Sequence, residues 1–167
     1  ALGAAVATQN KNGRVICIDG DGSLMMNVQE LETISYNKLN VKLFILNNNG
    51  YHSIRQTQRN LFKPPLIGLD PETGVGFPTW EHLALAFGFQ YYAVSTERDC
   101  SETIIKALET DGPVMCNVIV DSSQNFVPKL SSKVLEDGTI VSPSMDDMFP
   151  FLPRDEYNTN KYVFKEE

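Results

Sequence analysis

The sequence predicts an α/β fold, a three-layer αβα domain built on a mainly parallel sheet. Two observations carry this. Short apolar runs rich in β-branched residues alternate with segments of helical periodicity, in the order strand–helix–strand–helix–helix–strand–helix–strand. The runs also lack polar alternation, which suits strands covered on both faces. With 167 residues, 42% hydrophobic and 21% charged, the chain has an average globular mix and enough length for one domain with a sizeable core.

Each element follows from local chemistry. Ala1 to Ala7 is small and apolar and reads as the middle of a helix. Because the chain opens there and not at Met, it is expected to be a portion of a longer protein. Val15 to Ile18 is the first strand, stopped by Asp19-Gly20-Asp21-Gly22-Ser23. Val28, Leu31 and Ile34 predict a helix from Val28 to Tyr36, with Asn27 as N-cap and Glu30 as its capping-box acid. Val41 to Leu46 is the second strand, ended by Asn47-Asn48-Asn49-Gly50, and a polar helix is expected over His52 to Arg59. Leu61 to Phe77 holds Pro64, Pro65, Gly68, Pro71, Gly74 and Gly76, a long loop of the functional or mobile kind. Thr79 to Phe87 predicts a helix anchored by Trp80 and stopped by Gly88. Tyr91 to Val94 is the third strand, Ser101 to Leu108 a helix capped by Ser101, and Val114 to Val120 the fourth strand. From Asp121 the periodicity loosens, and a small hairpin is expected between 133–135 and 140–141. The domain is bounded at 1–153. Residues 154–167 form a charged tail, expected to be disordered or packed on a partner.

Lys and Arg number 14 against 21 Asp and Glu, a net charge of −7 with no basic cluster. This excludes the electrostatic footprint of a nucleic-acid binder. No apolar run approaches the roughly 20 residues that cross a bilayer, so no membrane partner is expected. The first ten residues carry no charged n-region and no cleavage pattern, so no secretory leader is expected. Cys17, Cys100 and Cys116 show no CxxC or CxxH spacing, which excludes a zinc set and fits the reduced thiols of a cytoplasmic protein.

Both polar loops fall at the carboxyl ends of strands, where open α/β sheets bind ligands. The first loop resembles an EF-hand only in part. Asp19, Asp21, Ser23 and Glu30 fit, but Leu24 replaces the turn-forming glycine and a strand precedes the loop. Taken together, the loops suit another chemistry. Gly20 and Gly22 let the backbone approach a phosphate, Asp21 offers a carboxylate and Ser23 a hydroxyl, and the following helix start offers amide N–H groups. Asn48 adds an amide oxygen and Gly50 a peptide carbonyl. A Mg²⁺ or Ca²⁺ ion bridged to a diphosphate wants such hard oxygens. No P-loop and no GxGxxG is present.

Gly20-Asp21-Gly22, 24 intervening residues, then Asn47-Asn48 resembles the GDG–NN signature of thiamine diphosphate (ThDP) enzymes, with a strand before each half. The similarity runs from the opening Gly-Ala-Ala to about Pro153. Nearly the whole chain therefore resembles the C-terminal, diphosphate-binding domain of the acetolactate synthase-like group, with the ThDP-binding fold. The stretches Phe126 to Leu130 and Phe149 to Leu152 are similar to the tail of synthase-like proteins grouped with surface-polysaccharide pathways.

The resemblance implies ThDP and Mg²⁺ (or Ca²⁺) as cofactors. It implies Asp21, Asn48 and Gly50 as metal ligands. It implies Gly20, Asp21, Gly22, Ser23, Asn48, Gly50, Tyr51 and His52 as the cofactor-binding set, with Gly22 and Ser23 at the diphosphate and Tyr51 and His52 toward the thiazolium. The implied activity is decarboxylation of a small-molecule 2-oxo acid and ligation of the product to an acceptor. The alternatives are a non-catalytic or separate small subunit of a ThDP enzyme, and a 2-oxo acid decarboxylase or other ThDP lyase.

The chain departs from its resemblance in places. Acetolactate synthases read Asn-Asn-Glu, then a Gln-Gly-Met-Val stretch and a Trp, where this chain has Asn49-Gly50-Tyr51-His52-Ser53-Ile54 and Thr57. Ile54 stands where pyruvate decarboxylases carry Glu. The run Ile54 to Arg59 is more similar to a broader carboligase or lyase group. The family's cofactor-activating Glu comes from another domain, normally of a partner subunit, and Glu30 and Glu32 lie on the helix behind the loop. The chain is therefore expected to be a half-site, inactive alone. N-terminal domains and a second subunit would complete it, in a cytoplasmic homodimer or homotetramer. An FAD requirement would be set by a middle domain outside this sequence. His52 is the one candidate catalytic residue, a proton shuttle as against a surface position at a helix start. Arg55 and Arg59 are candidates for a substrate carboxylate, as against a solvated helix face. His82 is expected at the surface.

Overall fold

The structure, a computed structural model, describes residues 1–8, 13–62 and 64–161. Its sheet has four parallel strands, β1 (Val15–Gly20), β2 (Val41–Asn47), β3 (Gln90–Val94) and β4 (Val114–Ile119), in the spatial order β1-β2-β4-β3. Val15 pairs with Val41, and Lys42 with Val114, so β1, β2 and β4 run in step.

Alternate residues of β2 feed two cores. Val41, Leu43 and Ile45 pack with Ala5 of α1 (Leu2–Thr8), Leu24 of α2 (Asp21–Met25), Leu31 and Ile34 of α3 (Glu30–Tyr36), and Trp80 and Ala84 of α5 (Trp80–Ala86). Phe44 packs with Val94, Val114 and Cys116, and with Ala107 of α6 (Glu97–Glu109). Right-handed crossovers explain this division. The steps β1 to β2 and β2 to β3 move the same way and leave their helices on one face. The step β3 to β4 moves back and leaves α6 on the other. The result is the expected αβα sandwich. Trp80 is buried and His82 exposed, as expected. The small hairpin is present as β5 (Lys133–Val134) and β6 (Ile140–Val141). All three cysteines are free, with Cys116 buried. Among the described residues no helix is long and apolar enough to cross a membrane.

Several expectations are corrected. The helix expected from Val28 begins at Glu30, with Gln29 at its N-cap and no side-chain cap bond. Asn27 instead sits in the turn between α2 and α3, where its N–H donates to the Leu24 carbonyl and its carbonyl accepts from the Glu30 N–H. The first polar loop is shorter than expected, because α2 starts on Asp21 directly after the strand. α6 starts at Glu97 behind Thr96, so Ser101 is interior to it. The acids Glu97 and Asp99 in its first turn complement the helix dipole. The long loop contains a 3₁₀ turn, Pro71–Thr73, closed by reciprocal bonds between Asp70 and Thr73. The tail is ordered into α7 (Arg154–Asn160), and Arg154 grips both Asp147 oxygens at 2.8 and 2.9 Å. The remainder of the tail, past residue 161, lies outside the described residues. Finally, β1 is covered on one face only. Ile16 and Ile18 are 51% and 66% exposed on the other.

Candidate diphosphate and cation site

β1 and β2 end side by side, Gly20 opposite Leu46, so the residues that follow them meet. Asp21 is 1% exposed. Its Oδ1 accepts the Gly22 N–H at 2.8 Å and its Oδ2 the Gly50 N–H at 2.9 Å. Burial pushes the Asp21 carboxyl above its usual range, against the pull of backbone bonds from Gly50, Gly22 and Asn49 and of the Arg55 charge. A nearby cation would favour its ionised form.

The second loop is a tight turn. Asn47 Oδ1 accepts the Asn49 N–H at 3.1 Å. Asn49 then takes φ 57° and Gly50 φ 150°. Asparagine tolerates the first value; the second calls for glycine. A Cβ at Gly50 would also run into the Leu69 carbonyl oxygen. Asn48 Oδ1 is buried with no hydrogen-bond partner among the described residues. The Gly50 carbonyl accepts the His52 N–H at 3.0 Å and retains a second lone pair.

All eight residues of the expected cofactor set, from Gly20 to His52, line one cleft of about 240 Å³. Leu46, Ser53, Val120 and Phe126 complete its walls. No group of three His, Cys, Asp or Glu side chains among the described residues could hold a metal. A cation in this cleft would therefore draw on one carboxylate, one amide oxygen, one peptide carbonyl and oxygens of a ligand. That hard-oxygen set suits Mg²⁺ or Ca²⁺. The orphaned Asn48 acceptor fits such an ion, since buried acceptors ordinarily have partners.

Three candidate residues behave differently from the sequence reading. Gly22 commits its amide to Asp21, and the close neighbour of its α-carbon is the Tyr51 ring. His52, at the start of α4 (His52–Leu61), is buried, so the surface alternative fails. The Phe126 ring meets the His52 imidazole edge-on at 4.9 Å, and Arg55 Nη1 lies 3.3 Å from Nδ1. Burial lowers the His52 pKa; a backbone bond with Gln124 partly offsets this, and the charges of Arg55, Arg59 and Lys129 add to the lowering. Arg55 neither lies on a solvated face nor lines the cleft. It is 3% exposed and forms an ion pair with Asp70 at 3.1 Å. Burial raises the Asp70 carboxyl, but its bonds from Thr73 and Arg55 outweigh this and hold it below the usual range. Arg59 is exposed.

Sequence reasoning missed Asp70 and Phe126. Asp70-Pro71-Glu72-Thr73 does carry the signature of a capped helical turn, with Pro in its first position. Phe126 carries no local signal.

The fold and the cleft define a class of protein, a parallel α/β domain with a cleft at the ends of adjacent strands, lined by Asp21, Asn48 and Gly50. Residues 1–118 match the family described as thiamine pyrophosphate enzyme, C-terminal TPP binding domain, and the chain belongs to that family. It is 34% identical over 131 residues to the acetolactate synthase large subunit of Cyanidium caldarium, covering 78% of this chain and 22% of that one. It is 35% identical over 136 residues to the chloroplastic acetolactate synthase of Arabidopsis thaliana, covering 79% and 20%. The chain thus spans about a fifth of the length of the curated relatives it matches. Among solved structures it is similar to the thiamine diphosphate-dependent 4-hydroxybenzoylformate decarboxylase of Rhodococcus jostii RHA1. The TM-score is 0.64 at 30% identity, over 72% of this chain and 22% of that one. The chain is a ThDP-binding domain of the acetolactate synthase-like group, as the GDG–NN resemblance implies.

Proposed function

We propose that this chain supplies the diphosphate- and cation-binding wall of an active site that decarboxylates a 2-oxo acid and ligates the product to an acceptor. The observation that carries the proposal is the buried, unpartnered Asn48 Oδ1 in a cleft shared with Asp21 and Gly50. In this reading Asp21, Asn48 and the Gly50 carbonyl would hold Mg²⁺, whose charge would offset that of the ThDP diphosphate. Ca²⁺ suits the same oxygens. Gly20, Gly22 and Ser23 flank the diphosphate, and Tyr51 and His52 continue the wall toward the thiazolium.

When bound, the cofactor supplies the electron sink for breaking the bond between the carboxyl and carbonyl carbons of a 2-oxo acid. The residues of the chain place and shield it. Asp21 contributes charge to the cation and fixes the turn through the Gly50 amide. Leu46, Val120 and Phe126 give the cleft apolar walls against which the cofactor would lie. Arginine only donates hydrogen bonds, so the Arg55 contact makes His52 Nδ1 an acceptor and leaves the proton of the neutral imidazole on Nε2. His52 therefore reaches the cleft as a neutral, singly protonated group at neutral pH.

The acetolactate synthase relatives favour ligation. The decarboxylase among the solved structures favours the second reading, a 2-oxo acid decarboxylase or other ThDP lyase. Among the described residues Asp21 is the one acid in the cleft wall, and its oxygens already hold two amides, which supports an activating carboxylate supplied from elsewhere. The open apolar face of β1 supports assembly with other domains or a second subunit, in a homodimer or homotetramer. We place that assembly in the cytoplasm, in keeping with three free thiols.

Calorimetry of ThDP binding with and without Mg²⁺, on the full-length protein, tests the site. Asp21→Ala and Asn48→Ala should each abolish Mg²⁺-dependent binding, and unchanged affinity in either variant would overturn the assignment. Product analysis with a 2-oxo acid separates the two reactions, since ligation yields a joined product and simple decarboxylation an aldehyde.

A further inference from the structure

We infer that Arg55 is a positioning residue for the cation-binding turn, acting through the backbone of Asn48 and Asn49 and anchored by Asp70. The inference rests on the reading of the cleft proposed above. The turn 47–50 opens on the last residue of β2, and beyond Asn47 the ladder of sheet hydrogen bonds stops. Asp21 restrains it from one side through the Gly50 amide. Arg55 restrains it from the other. From the first turn of α4 its Nη2 donates to the Asn49 carbonyl at 3.1 Å, and its Nη1 reaches the Asn48 carbonyl at 3.4 Å.

The arginine is itself held. Its Nη2 meets Asp70 Oδ2 at 3.1 Å. Asp70 Oδ1 accepts the Thr73 hydroxyl at 2.8 Å and the Thr73 N–H at 3.1 Å. The preceding residue, Leu69, accepts the Tyr51 N–H at 2.8 Å. The long loop therefore grips the turn on both sides of Gly50, through Arg55 before it and through Leu69 after it. A planar, permanently charged fork with five donors suits this task, because it spans two carbonyls and a carboxylate at once. Arg55 thus fixes the backbone of Asn48 and Asn49, the stretch that carries the two oxygens the proposed site uses, the Asn48 side chain and the Gly50 carbonyl.

The test is titration of Mg²⁺ in the presence of ThDP by calorimetry, on the full-length protein, alongside the thermal midpoint without cofactor. Arg55→Met should weaken Mg²⁺ binding by about 10–100-fold, the range for groups that orient metal ligands from behind. Arg55→Lys should recover part of that loss, since an ammonium reaches one partner at a time. Asp70→Asn should also weaken binding, and the double variant Arg55→Met/Asp70→Asn should lose less than the two single losses combined. A merely structural arginine would lower the thermal midpoint and leave the Mg²⁺ affinity of the folded protein unchanged, which would overturn the inference. If Arg55→Met does not fold, Arg55→Lys and Asp70→Asn decide it, and Mg²⁺ affinities within twofold of wild type in both would overturn it. Wild-type protein that binds ThDP without regard to Mg²⁺ would overturn the reading of the cleft itself, and this inference with it.

Discussion

The Tyr51 ring lies on the α-carbon of Gly22, so close that a Cβ there would stand 2.5 Å from Tyr51 Cε1. The contact joins the two halves of the site, since Gly22 follows β1 and Tyr51 follows β2. Tyr51 leans in turn on Phe77, with ring centroids 6.0 Å apart, and Phe77 on Trp80 at 6.4 Å. This aromatic row ties the cleft to the larger core.

Gly22→Ala should displace the Tyr51 ring and destabilise the protein by about 1–3 kcal/mol, the usual range for overpacking. Gly50→Ala should cost more. Its Cβ meets the Leu69 carbonyl, which is backbone, and its φ of 150° is strained for any side chain. Chemical denaturation ranks the two, and Gly22→Ala/Tyr51→Ala should recover part of the first loss. Equal costs at both positions would contradict the packing of the turn.

Asp21→Asn keeps the shape of the side chain but puts a donor against one of two amide donors. The expected loss is roughly 1–3 kcal/mol, the cost of leaving a buried polar group unpaired. Hydrogen exchange locates it, because one of the Gly22 and Gly50 amides should lose protection while the strand amides of β2 keep theirs.

Ile45→Ala should cost about 2–5 kcal/mol, because Ile45 is fully buried between sheet and helices. Ile18→Ala should stay within about 0.5 kcal/mol in this chain, as an exposed position does. The same pair measured in the full-length protein reads out what lies on the open face of β1. A rise in the Ile18→Ala cost there would show that another surface covers it.

Burial pushes the Cys116 thiol up to about 11, with Cys100 adding to the effect. An unfolded thiol ionises near 9.0. The folded protein therefore keeps a proton that the unfolded chain releases between these values. The stability that Cys116 contributes is fully present below pH 9 and is lost as pH rises toward and through 11. Urea midpoints measured from pH 8 to 11 should fall, and Cys116→Ala should flatten that slope. Iodoacetamide at pH 8.5 should leave Cys116 unlabelled in the native protein.

The strands and the cleft were legible because their signals are local. A buried parallel strand is an apolar run, and the two polar loops stop the first two runs at the same end of the sheet. What escaped depends on distant partners. Lys42 sits in the middle of β2 and is fully buried, because its Nζ donates to the carbonyls of Thr110 and Gly112 near the end of α6. Nothing near Lys42 in the sequence announces those carbonyls. Arg55 reads as solvated until Asp70 arrives from the long loop. The start of α6 was legible and overlooked, since Thr96 stands three residues before Asp99 and the two side chains bond at 2.8 Å. Periodicity made β1 look covered on both faces, but periodicity cannot tell that α6 packs over β2, β3 and β4 and leaves β1 open.

The pairing of Asp21 with Gly50 also bears on how the sheet assembles. A slip of β1 by one residue would carry Asp21 about 3.3 Å along its neighbour and turn every inward side chain of the strand outward. The carboxylate would then keep the amide of its neighbour Gly22 but lose that of Gly50. Parallel pairs join distant parts of the chain and form slowly, so misaligned encounters have time to occur. The Asp21–Gly50 bond therefore favours the native register, because only in that frame does the carboxylate meet the amide of Gly50.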